Sequence, residues 1–192
     1  MLKTLIFLVL AALPLTAQTQ QTGSTAANVA CPLPDSAQFT KAAKSPRMTA
    51  QTTIGKTAIT IDYGSPRVRG RMIWGGLIAF GTVWATGAHH ATSITLSRDA
   101  VIGGKIVKAG KYGLFTIPNN NEWTVIINKN HDQHLADDYD EKLDVVRIKV
   151  TPTPLEKVQE ELKFSVAASG INAGNISFAW DKLTWSFPLK TL

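Results

Sequence analysis

Large apolar side chains recur at every second residue through much of this chain, and that alternation constrains the fold more than any other feature. Leu162, Phe164 and Val166 alternate with Lys163 and Ser165. Ile176, Phe178 and Trp180 alternate with Ser177 and Ala179, and Leu183, Trp185 and Phe187 with Thr184 and Ser186. Successive side chains of a strand point to opposite faces, so each run builds one large apolar face and one small or polar face. An antiparallel sheet packed on one side has this pattern. Asp181 and Lys182 separate the last two runs and predict a tight hairpin between them.

The same rule finds further strands. Residues 51–54 and 57–62 flank Gly55 and Lys56, a two-residue hairpin signal. Residues 92–96 follow, then 100–102 and 105–107 around Gly103 and Gly104. Residues 111–117 and 123–128 are joined by Pro118, Asn119, Asn120 and Asn121, and 143–150 places Val146, Ile148 and Val150 on one face. About ten short strands, with turn signals roughly every 8–12 residues, predict an all-β, single-domain antiparallel β-sandwich or jelly-roll-like barrel. Helical signal is thin. Leu155, Val158 and Leu162 fit one side of one or two helical turns over 154–162, and 72–80 reads as an irregular turn.

The N-terminus predicts export. Lys3 precedes an apolar run over 5–13, and Ala17 follows as a small residue at a cleavage point. The run is short of the roughly 20 residues that span a bilayer, so a signal peptide over 1–17 is expected rather than a transmembrane segment. Residues 18–46 are rich in Gln, Thr, Ser, Ala and Pro without apolar period, as a disordered leader would be. The β-sandwich domain is then 47–192. Cys31 is the one cysteine of the chain, so no intramolecular disulfide is available. Asn28 and the distance from the apolar run argue against its lipidation.

One block breaks the plain alternation. Residues 65–92, SPRVRGRMIWGGLIAFGTVWATGAHHAT, gather three arginines, two tryptophans and two adjacent histidines among glycines. Binding loops need such mixtures and strand cores do not. If extended, Arg67, Arg69 and Arg71 form a comb on one face that suits a carboxylate, sulfate or phosphate; otherwise they pair with the acidic run at 137–141. Trp84 offers a stacking surface or a core contact. Thr86, Gly87 and Ala88 are small enough for a ligand to approach the backbone. The four histidines fall into two clusters, His89 with His90 and His131 with His134. Imidazole is the commonest transition-metal ligand, so a shared site for a divalent transition metal is open, as is a set of four solvated loop residues. The spacing lacks the glutamate of the helical metalloprotease motif, and no P-loop, dinucleotide fingerprint or nucleophile elbow occurs. The run at 137–144 lacks the calcium-loop spacing. A net charge of +6 is spread along the chain without a clustered basic patch, which argues against nucleic acid as a partner.

Three motifs in order carry a resemblance. They are Gly70 and Arg71 with Ile73, Gly75, Gly76 and Leu77; Gly81 with Val83, Trp84, Thr86, Gly87 and Ala88; and Ala109, Gly110, Lys111 and Tyr112 with the run 114–118, followed by 123–126, Asn128 and Lys129. Over about 50–190 the chain resembles DUF2911, a family of exported bacterial β-proteins of unknown function. The resemblance implies export and one compact domain, and it implies no chemistry. Against the family's central V-W-R-T-G-A-N pattern, Ala85 stands at the arginine and His89 at the asparagine. His134 stands at a position where the family tends to have tryptophan.

Two functional readings follow, with a purely structural envelope module as a third. The first is a secreted, non-enzymatic module that binds a small molecule, glycan or cell-envelope component through Arg67, Arg71, Trp84, Thr86 and His89. The second is a metal-binding protein or metal-dependent hydrolase built on His89, His90, His131 and His134. In both, the site lies where the 65–92 block meets the loop at 131–140.

Overall fold

A computed structural model describes residues 44–192. The expected signal peptide, Cys31 and all of the expected leader except its last three residues lie outside the described residues. Among these residues, ten strands form two antiparallel sheets. They are β1 (Arg47–Ile54), β2 (Thr57–Gly64), β3 (Ser93–Leu96), β4 (Ala100–Ile102), β5 (Lys105–Val107), β6 (Gly110–Ile117), β7 (Trp123–Asn128), β8 (Asp144–Val150), β9 (Thr153–Gly170) and β10 (Ala173–Thr191). One sheet has the order β1-β2-β3-β6-β7-β8 and the other β5-β4-β10-β9. Their inner faces share one core, with Ile59, Ile61, Ile94, Leu114, Val125 and Ile127 from the first sheet and Phe164, Ile176, Phe178, Trp180, Trp185 and Phe187 from the second. The all-β sandwich expected from the alternation is the fold observed. Among the described residues, no helix is long and apolar enough to cross a membrane.

Turn chemistry sets several registers. Gly103 and Gly104 both have left-handed backbones (φ 56° and 78°), which is what the two-residue turn between β4 and β5 requires. Ile54 pairs with Thr57 across Gly55 and Lys56, as the spacing predicted.

One expectation is met and one is corrected. The expected hairpin at Asp181 and Lys182 lies within the range of β10, whose two halves fold back on each other. Thr191 N–H donates to the Asn172 carbonyl at 2.9 Å, Phe178 stacks on Trp185 at 5.0 Å, and Thr184 Oγ1 donates to the Phe178 carbonyl at 2.6 Å, contacts that a straight strand cannot make. The inward residues therefore run Ile176, Phe178, Trp180 on one half and Leu183, Trp185, Phe187 on the other. Asp181 takes the left-handed backbone (φ 55°) that such a turn requires, and the register against β9 shifts on either side of it. The helical turns over 154–162 are not formed, and the segment is the outer half of β9. Val158 is 51% exposed, so a helix there would have no apolar stripe to bury. The backbone finds partners on both sides instead. Leu183 pairs with Pro154, Val68 N–H donates to the Glu160 carbonyl, and Leu162 N–H donates to the Pro66 carbonyl.

The two-sheet stack does not account for everything buried. Every residue of β7 is buried, because its outward side chains are covered as well. Phe115 of β6 and Ile126 of β7 point away from the main core. Ala85, Ala91, Ala136 and Tyr139 cover them, so the 83–91 and 133–139 loops are packed onto the back of the larger sheet.

Candidate functional site

The 65–92 block starts as an extra pairing along β9. Arg67 bridges Glu161, and the buried Ser65 hydroxyl donates to the Leu162 carbonyl at 2.7 Å. The chain then turns through Arg69 and Gly70, both left-handed (φ 51° and 66°). That turn prevents the three-arginine comb. Arg67 pairs with the Glu161 carboxylate, with Nε at 2.8 Å, and Arg69 reaches the Lys44 carbonyl at 3.3 Å. The acidic loop is not their partner. Its neighbour Asp144 holds Arg147 Nε at 2.6 Å, and Glu141 reaches Arg147 Nη2 at 3.4 Å.

Arg71 is held differently. Its Nε donates to the Val68 carbonyl at 3.1 Å and its Nη2 to the Arg67 carbonyl at 2.5 Å. Two backbone carbonyls thus fix the guanidinium. Among the described residues, no carboxylate forms an ion pair with it and its Nη1 makes no hydrogen bond.

Beyond the turn, the chain returns to the sheet. Trp84 exchanges both backbone hydrogen bonds with Thr116, at 2.8 and 3.0 Å, and so continues the position that β3 holds further along β6. Residues 85–91 then leave the sheet as a closed loop. Thr92 N–H donates to the Ala85 carbonyl at 3.2 Å and Thr92 Oγ1 to the Thr86 carbonyl at 3.0 Å. Thr86 and His89 have left-handed backbones (φ 51° and 66°), an uncommon state for both residue types. Gly64 lies directly beneath the loop. A Cβ there would sit 2.2 Å from the Ala88 carbonyl oxygen, so only glycine permits the approach. Arg47 ties the loop from the other side, donating to the His90 and Ala91 carbonyls at 3.2 and 3.3 Å.

These elements enclose a cleft of about 410 Å³. Trp84, Trp180 and Ile78 supply apolar lining, and Arg71, His89 and His134 supply polar groups. Trp84 stacks on Trp180 at 5.7 Å and donates its Nε1–H to the Gly87 carbonyl at 3.2 Å. Among the described residues, the buried Trp180 Nε1–H has no acceptor. Of the five predicted ligand-binding residues, Arg71, Trp84 and His89 line this cleft. Arg67 is spent on Glu161. Thr86 is fully buried, and its hydroxyl bonds the Trp84 carbonyl and Thr116 Oγ1 at 3.2 and 3.1 Å. Trp180 and Leu135 were not singled out in the sequence. Trp180 reads there as one more inward strand residue, and no local signal marks its second role.

The two histidine clusters meet in part. His90 and His134 form an antiparallel bridge, Leu135 N–H donates to the His89 carbonyl at 2.6 Å, and His134 Nδ1 lies 2.9 Å from Asp137 Oδ2. His131 takes no part in the bridge and does not line the cleft. Among the described residues, no three His, Cys, Asp or Glu side chains are gathered as a metal site. The loop carrying His134 is anchored by Tyr139, whose hydroxyl donates to the Asp144 carboxylate at 2.8 Å while Arg147 Nη2 donates to it at 3.0 Å. Burial, and then the carboxylate that accepts its proton, push the Tyr139 phenol up to about 12.

The fold and the cleft define an antiparallel β-sandwich domain whose loops cover the back of one sheet and leave a small half-apolar recess. The chain belongs to the family described as a protein of unknown function, DUF2911, whose match covers residues 45–189. That membership names a domain and no activity. No curated protein and no solved structure matches the chain.

Proposed function

We propose that this domain is an exported, non-enzymatic binding module, and that the cleft beside Arg71 takes a small organic anion with a flat apolar body. One observation carries the reading. Among the described residues, Arg71 is positioned by two carbonyls, keeps Nη1 uncommitted, and stands at a cleft lined by tryptophan with no carboxylate paired to it. A guanidinium fixed before binding loses little freedom on meeting a carboxylate, and charge-assisted hydrogen bonds are among the stronger polar contacts. The volume falls within the range of small-ligand sites.

A glycan is the poorer occupant, because a neutral sugar leaves the Arg71 guanidinium without an anionic partner. Export rests on Lys3, the apolar run at 5–13 and Ala17.

The test is a tryptophan-fluorescence titration of the purified chain with benzoate, phenylacetate and their neutral amides. Carboxylates should bind and amides should bind at least tenfold more weakly. Arg71→Gln should lower carboxylate affinity by about 10- to 100-fold, the worth of a charged hydrogen bond. Equal affinity for acids and amides, or no effect of Arg71→Gln, would remove Arg71 from the site.

A further inference from the structure

The bridge between His90 and His134 has a specific register. Its hydrogen bonds run from Leu135 N–H to the His89 carbonyl, 2.6 Å, and from Ala91 N–H to the Gln133 carbonyl, 3.0 Å. They therefore flank the pair, and His90 and His134 exchange no backbone bond with each other. This is the narrow position of an antiparallel ladder, where Cα atoms are about 4.5 Å apart and the side chains share one face. Both residues are exposed, so two imidazoles stand side by side in solvent.

The second observation concerns which nitrogen is available. His134 Nδ1 is 2.9 Å from Asp137 Oδ2. A carboxylate there holds the proton on Nδ1 and leaves the Nε2 lone pair directed outward. Metal-binding histidines are oriented and made more basic in this way.

We propose that His90 and His134 form a two-imidazole site for a divalent transition metal, with His134 Nε2 as one ligand and Asp137 as the positioning carboxylate. With two protein ligands the coordination sphere is open, and solvent fills the rest. Nitrogen ligation and the Irving–Williams order make Cu²⁺ the tightest divalent occupant. The site shares His134 with the cleft but does not rest on the anion reading: it needs no organic ligand, and neither His90 nor Asp137 lines the cleft.

The probe is Cu²⁺ alone, added to the purified chain and followed by electron paramagnetic resonance and calorimetry. One Cu²⁺ per chain is expected, with superhyperfine coupling to two imidazole nitrogens. His90→Ala and His134→Ala should each lower affinity at least tenfold and reduce the coupling to one nitrogen. Asp137→Asn should weaken binding about 10- to 100-fold while keeping both nitrogens, as outer-shell partners do. His131→Ala should change nothing. Circular dichroism checks that each variant is folded, and the wild-type nitrogen count stands without any variant. A wild-type spectrum with one nitrogen or none overturns the proposal, as does binding that survives His90→Ala and is lost with His131→Ala.

Discussion

Arg71 and Tyr139 show how two polar side chains of neighbouring loops come to opposite ends. Arg71 is tied by backbone carbonyls and meets no carboxylate among the described residues, whereas Tyr139 is tied into a closed set with Asp144, Arg147 and the ring of Phe115. The closed set has a measurable consequence. Burial and the Asp144 carboxylate raise the Tyr139 phenol to about 12, above the value of about 10 it has in an unfolded chain. The neutral phenol is thus favoured by folding. Its contribution is full below pH 10 and is lost as pH rises through about 12. Ultraviolet titration should show a late tyrosinate step near pH 12 that Tyr139→Phe abolishes. The stability of the variant should also fall less steeply between pH 10 and 12. A wild-type chain that lacks this late step would show that the Tyr139–Asp144 contact does not hold in solution.

At the scale of elements, the alternating strands were legible because each must bury one face. The phase change between Trp180 and Leu183 was legible too, and Asp181 and Lys182 between the two runs mark where the chain reverses, which brings Trp185 onto Phe178 and Thr191 onto Asn172. The turn gives Asp181 a left-handed backbone, which costs a non-glycine residue about 1–2 kcal/mol. Asp181→Gly should therefore raise stability by about 1 kcal/mol in urea denaturation, and Asp181→Val should lower it by at least as much. Equal effects of the two would exclude the left-handed conformation. Pro154 to Leu162 misled. A helix-like spacing of three apolar residues has no weight when the tertiary structure offers hydrogen-bond partners on both sides and nothing to cover an apolar stripe.

Across the whole molecule, the site is a consequence of loops packed on the back of a sheet. The consecutive apolar residues Val125, Ile126 and Ile127 carried that information, since a strand with one solvated face does not need them. Ile126 and Phe115 are the outward residues that the 83–91 and 133–139 loops cover, and covering them brings His90 against His134 and His89 to the cleft. The sequence marked Arg71, Trp84 and His89 through their unusual mixture. It did not mark Glu161 as the partner of Arg67, because that pairing depends on the register of the 65–68 segment along β9. Nor did it mark Trp180, whose ring serves the core and the cleft together.

The central claim is that one cleft, between Arg71 and His89 over Trp84 and Trp180, is where this domain binds. The most direct measurement is a ¹H–¹⁵N correlation spectrum of the labelled chain titrated with phenylacetate. The chain has five tryptophans, so their indole N–H signals act as separate reporters. The Trp84 and Trp180 signals should move, together with the amides of Gly87, Ala88 and His89, while the indole of Trp185 and the amides of Gly103 and Gly104 stay in place. Shifts confined to the β4–β5 end, or none at millimolar phenylacetate, would contradict it.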